Sequence, residues 1–254
     1  TDSQDMPTVE NVQDVVEKHL VEADLYSVAK EYILYRASQI EKRKDIVEEK
    51  MERHELSVIK RNGETQSFDL AKVRNVLELA ANNHPNIDVE KLLKELRNNI
   101  FDGISSTDIA KATVMASKSF IENDPQYTFV TSKLFLMNYY KQLIGSSDMK
   151  NNTFDTVYRQ TFVDNLRFLV ETEHLAEDML DFDLDKIAAA IVPERDGELT
   201  YLAIQNLYDR YFIHHEKVRK ELPQAFWMRV AMGLARKEED KEKQNIRLLL
   251  TEKV

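Results

Sequence analysis

Only five glycines and five prolines interrupt the 254 residues of this chain. With so few breakers, long helices are the expected structure nearly everywhere. The apolar residues agree, because most recur at helical spacing. Residues 11–48 read as helix with charged flanks, carrying Tyr26, Ala29, Ile33 and Arg36. The stretch from Glu41 to Arg53 is nearly all charge and reads equally as solvated helix or linker. Asp69 stands at an N-cap position before Val73, Val76, Leu77 and Ala80. Asp88 precedes a second helix, with Val89, Leu92, Leu93, Leu96 and Ile100 on one face and Gly103 at its end. Ser105-Ser106-Thr107-Asp108, close to a capping box, opens a helix through Ile109 to Ile121. Asn123-Asp124-Pro125 breaks the chain, and a helix from about Gln126 to Ile144 closes on Gly145. After a polar joint over 145–152, helices are expected at 153–172, 184–191, 200–215, 224–236 and 239–250, with Pro223 in a first helical position.

One stretch departs from this rule. Val58 to Phe68 reads as two short strands around Asn62-Gly63, and a two-residue Asn-Gly loop favours a type I′ turn. Lys60 and Arg61 end the first strand and point to opposite faces. Lys72 falls in the first turn of the helix begun by Asp69, where it opposes the helix dipole. A bound phosphate would reverse that sign. Lys141 is remote in sequence, and only a closed bundle could bring it to the hairpin. Asp69 could cap the helix or accept from a ribose hydroxyl. The pattern is therefore compatible with an anion pocket or with an ordinary surface turn. It is not a Walker A loop, since no Gly-x-x-x-x-Gly-Lys-Ser/Thr occurs.

Composition excludes several classes. The net charge of −10 argues against a nucleic-acid or anionic-membrane surface. With no cysteine, this chain holds no disulfide, zinc ribbon, iron–sulfur cluster or catalytic thiol. No signal peptide or membrane span is visible, so a cytoplasmic location is expected. A start at Thr1 without Met, and an end just past Leu248-Leu249-Leu250, suggest a piece of a longer chain. His214-His215, placed in a helical segment, would point about 100° apart and is not expected to bind metal. Asp181, Asp183 and Asp185 read as caps and solvated faces, and Trp227 and Met228 as packing residues. A weak repeat aligns His19–Tyr26 with Phe120–Tyr127 at an offset of 101 residues (Tyr26 to Tyr127), which suggests tandem copies of one small domain.

Val58-Ile59-Lys60-Arg61-Asn62-Gly63, Phe68-Asp69, Lys72, Tyr127 and the helix to Lys141 resemble an ATP-cone, a small regulatory nucleotide-binding domain. Gln205-Asn206-Leu207-Tyr208-Asp209-Arg210-Tyr211 and Leu222–Ala235 resemble the helical N-terminal part of class I ribonucleotide reductase large subunits. The resemblance implies a mainly α fold: a helical bundle capped by a small β-hairpin or three-stranded sheet, then a helical segment. It divides the chain into 1–50, the C-terminal remnant of a preceding cone plus a charged linker; 57–145, a cone; and 151–254, the helical start of the reductase core. It also implies an allosteric role, with ATP or dATP as effector and Mg²⁺ alongside, in an enzyme that reduces ribonucleoside diphosphates. The remainder of the large subunit, a radical-generating small subunit and further copies of the large subunit are the implied partners. Carried over by position, Lys60, Arg61, Lys72 and Lys141 would reach the phosphates, Asp69 the ribose, and Ser106 or Thr107 the base or sugar. No catalytic residue is implied. Gln66 and Ala110 depart from the pattern, standing where some cones have Glu and a nucleotide-contacting His. A degenerate cone, acting as a helical spacer or assembly surface, is the alternative.

Overall fold

The computed structural model describes residues 9–52, 55–145 and 153–236. The mainly helical fold with small sheets is borne out. Helices α1 (Val9–Glu22) and α2 (Tyr26–Glu52) form an antiparallel pair. The break between them is a Schellman turn: Leu25 N–H reaches Leu20 O, Asp24 N–H reaches Val21 O, and Asp24 takes φ +57°. Arg36 of α2 ties the pair by donating to Asp14 and Glu17 of α1, each at 2.7 Å. The charged stretch after Glu41 is helical as far as Glu52.

Next come β1 (Ser57–Ile59), β2 (Thr65–Ser67), α3 (Leu70–Ala81), α4 (Val89–Arg97), β3 (Ile104–Ser105), α5 (Ser106–Lys118) and α6 (Tyr127–Leu143). The sheet order is β2-β1-β3, with β1 antiparallel to β2 and parallel to β3. The predicted N-cap forms, with Asp69 accepting from the Ala71 and Lys72 N–H groups, and Asp88 likewise caps α4 by accepting from Lys91 N–H. Each satisfies amides that the helix itself cannot. Leu77, Leu92, Leu93, Leu96, Leu134 and Leu136 are buried where α3, α4, α5 and α6 meet. Two details differ from expectation. Helix α4 ends at Arg97, so Ile100 is buried beyond it, and Gly103 (φ +79°) turns the chain into β3 instead of closing the helix. The Asn62-Gly63 turn is not type I′, because only Gly63 has positive φ (+84°). Gly63 N–H bonds Lys60 O and Lys60 N–H bonds Glu64 O, giving a three-residue loop whose glycine is a bulge.

The C-terminal part continues with α7 (Phe154–Glu171), a 3₁₀ turn (Glu177–Leu180), α8 (Leu184–Ala190), a second 3₁₀ turn (Pro193–Glu198) and α9 (Tyr201–Asn206). A π turn over Leu207–Tyr211 follows, then β4 (His214–His215), β5 (Val218–Arg219) and α10 (Pro223–Ala235), with Pro223 at the first turn as expected. The helix expected at 200–215 is thus overturned over its last four residues, 212–215. His214 and His215 lie on a strand of a hairpin whose turn residues, Glu216 (φ +48°) and Lys217 (φ +66°), adopt the type I′ conformation. The helix expected at 239–250 lies outside the described residues. Buried side chains form one continuous cluster, running from Leu56, Leu77 and Leu96 through Leu136 and Tyr140 to Tyr158, Leu166, Ile204 and Met232. Among the described residues no helix is long and apolar enough to cross a membrane.

Candidate functional site

The parallel pairing of β1 with β3 assembles the candidate site. Ile59 is in register with Ser105, so the two chain segments leave the sheet on the same edge. One becomes the Lys60–Gly63 turn and the other the N-terminus of α5. Arg61 then reaches across, its Nε 3.4 Å from Thr107 Oγ1 and its Nη2 3.0 Å from Asn138 Oδ1 on α6. Three segments distant in sequence converge on one guanidinium. Lys141 is exposed on the same side of α6, three residues beyond Asn138. Asn138 itself escaped the sequence reading, although its spacing from Lys141 was the available signal.

Not every candidate joins this cluster. Lys60, at the turn, lies 3.8 Å from Glu64. Lys72 lies 3.7 Å from Asp69, whose other carboxylate oxygen caps α3. Among the described residues no hydrogen bond or ion pair ties Asp69 or Lys72 to Arg61 or Thr107. These exposed pairs are worth little in stability and are easily exchanged for a stronger anion. Ser106 is half-buried in the first turn of α5 beside Thr107. Ser105 caps that helix through Asp108 N–H and also donates to the Asp108 carboxylate at 2.7 Å. That hydroxyl, with Lys111, holds Asp108 below the usual carboxylate range. Of the two departures, Gln66 pairs with Val58 in the sheet and is half-buried, and Ala110 is half-buried one turn into α5.

A second polar group lies on the opposite side of α6. Asp196 is fully buried, and its Oδ2 accepts from Tyr140 Oη (2.6 Å) and Tyr158 Oη (2.7 Å). Tyr158 in turn accepts from Gln224 N–H at 3.0 Å. Burial pushes the Asp196 carboxyl up to about 7, against the downward pull of the two phenols and of Gln224. Asp196 Oδ1 has no hydrogen-bond partner. Beside it, Tyr139 Oη donates to Glu221 O at 2.5 Å. The buried Glu221 carboxylate is held by Arg229 and by Ile213 N–H.

The ATP cone domain model matches residues 1–41 and 56–142. The chain belongs to the ATP-cone family. Residues 197–252 match the ribonucleotide reductase all-alpha domain, so the resemblance carried by Gln205–Tyr211 and Leu222–Ala235 is borne out. The chain is 37% identical over 250 residues to the ribonucleoside-diphosphate reductase subunit alpha of Chlamydia trachomatis serovar D, covering 92% of this chain and 23% of that protein. The Chlamydia muridarum protein of the same name is 36% identical over 245 residues, with the same coverages. That of Helicobacter pylori is 28% identical over 191 residues, 74% of this chain and 23% of the relative. The chain therefore spans about a quarter of the length of these relatives.

Proposed function

We propose that residues 57–145 sense ATP and dATP and regulate a ribonucleotide reductase of which this chain is the N-terminal region. The observation that carries this reading is the Arg61 bridge to Thr107 and Asn138, which gathers the hairpin, α5 and α6 at one cationic edge. A triphosphate there would draw Lys60, Arg61, Lys72 and Lys141, with Asp69, Ser106 and Thr107 toward the nucleoside. Among the described residues no group of three metal-ligating side chains converges. Mg²⁺ would therefore be held mainly by phosphate oxygens and water, as is usual for this ion. The two effectors act through different affinities for different states of the whole enzyme, since equal affinity shifts nothing. The full-length protein would reduce ribonucleoside diphosphates with a radical-generating small subunit, form homo-oligomers and reside in the cytoplasm. Calorimetry with ATP and dATP tests the site. Micromolar binding that disappears in the Lys60→Ala/Lys72→Ala double variant supports it, and no heat at millimolar nucleotide sinks it.

A second reading, a degenerate cone serving as a spacer, is favoured by Gln66 and Ala110 and is what the silent calorimeter would leave. For residues 1–50 we propose the closing helices of a preceding cone. In the repeat alignment, Tyr26, Ile33 and Tyr35 correspond to Tyr127, Leu134 and Leu136. The first three are 62%, 44% and 61% exposed, and their counterparts 5%, 3% and 0%. The same helix pair thus presents a core face without the hairpin and helices that cover it in residues 57–145.

A further inference from the structure

We infer that the last turn of α6 transmits occupancy of the effector site to the all-alpha region through Tyr140 and Asp196, with Asp196 a positioning residue. The inference rests on the effector reading above. Its basis is helical geometry. Successive residues advance by about 100°, so Asn138 and Lys141 sit about 60° apart on one side, and Tyr139 and Tyr140 straddle the opposite side. The first pair faces the Arg61 edge. The second pair is buried against the following domain, with Tyr140 on Asp196 and Tyr139 on the Glu221 carbonyl. One turn of helix therefore carries the phosphate-side contacts and the interdomain contacts back to back.

The far ends of these bonds lie on three other elements. Asp196 belongs to the 3₁₀ turn Pro193–Glu198, Tyr158 to α7, and Gln224 to the first turn of α10. Tyr158 closes the bridge, donating to Asp196 and accepting from Gln224 N–H. Drawing Arg61 off Asn138 to a phosphate frees one side of the turn. A rotation or shift of that turn must then be met by the phenols on the other, because no water-exposed slack separates them from Asp196. A packed core of this kind responds by changing contact and not by bending gradually.

Hydrogen exchange of the 254-residue chain with and without saturating ATP, read by mass spectrometry over 193–198 and 221–226, tests the relay. In the wild type ATP changes exchange in both segments severalfold. In Tyr140→Phe and Tyr158→Phe, which keep the rings and remove the bridging hydroxyls, ATP binds within about threefold of wild type but the remote change is lost. Asp196→Asn, which can still accept from both phenols, retains the change, and Asp196→Leu abolishes it. Binding with no change at 193–198 and 221–226 overturns the relay alone. So does a change that survives in Tyr140→Phe, Tyr158→Phe and Asp196→Leu. Absence of ATP binding in the wild type overturns the effector reading and the relay with it.

Discussion

Replacing Asp196 by asparagine should stabilise this protein above neutral pH and flatten its pH dependence. The carboxyl is fully buried, and among the described residues no cation pairs with it. Burial lifts it from the ordinary 3.8 to about 7. Between those values the folded protein holds a proton that the unfolded chain has released. Stability from this group is complete below about pH 4, falls as pH rises, and is fully lost above about pH 7. A shift of about three units, at roughly 1.4 kcal/mol each, amounts to about 4 kcal/mol. This is an upper bound, because a buried carboxylate admits water and relaxes its surroundings. Asparagine keeps an acceptor oxygen for Tyr140 and Tyr158 and has nothing to ionise. Urea unfolding, followed by helical circular dichroism at a series of pH values from about 5 to 8.5, gives both curves. Subtracting one from the other removes every other titrating group. The difference should grow in favour of Asp196→Asn as pH rises and level off above about pH 7. Parallel curves, or a variant less stable at high pH, would refute the claim that Asp196 is neutral in the folded protein near pH 6.

Arg229→Met strands the buried Glu221 carboxylate and should cost about 3–5 kcal/mol in the same assay, with Glu221→Gln in the double variant recovering part of it. Asp69→Ala removes the α3 cap, so a loss of about 1 kcal/mol is expected even without nucleotide. An additional loss of nucleotide affinity, by calorimetry, would separate a ribose role from the cap. Gly63→Ala meets no neighbour within 4 Å, so its expected cost is only the left-handed backbone, about 1–2 kcal/mol by denaturation. Ile33→Ala should change stability by less than about 0.5 kcal/mol, whereas Leu134→Ala, its counterpart in the repeat, should lose about 2–5 kcal/mol. Equal effects would show that the exposed face of α2 is already covered.

The helices were legible because their signals are local. Asp69 and Asp88 stand before amphipathic runs and cap them, and Pro223 opens α10. What escaped was a reversal made by residues that do not advertise it. Glu216-Lys217 forms the type I′ hairpin that Asn62-Gly63 does not. Neither Glu nor Lys favours positive φ. There the surroundings decide: Lys220 N–H bonds Ile213 O, and Arg219 is anchored on the Tyr208 carbonyl, fixing where the strands must turn. Tertiary contacts of that kind leave no trace in a window of a few residues, so the helical spacing of 200–215 ran on past its true end.

The candidate site divides along the same line. Lys60, Arg61 and Lys72 could be picked out because they flank a turn, and Lys141 because of the family resemblance. Yet the grouping they suggested is only partly present: Arg61 meets Thr107 and Asn138, and Lys72 stays with Asp69. Partner choice here depends on the parallel β1–β3 pairing, a contact between segments more than forty residues apart. Asp196 was still less visible. In sequence it is one acid among forty-five Asp and Glu, in a run with Glu194, Arg195 and Glu198. Only its neighbours in space, Tyr140 of α6 and Tyr158 of α7, turn it inward. A charged residue buried without a counter-ion is costly. Here that cost shows as the upward push on the Asp196 carboxyl, which the two phenols offset only in part, and Asp196 ties α6 to α7 through those same phenols.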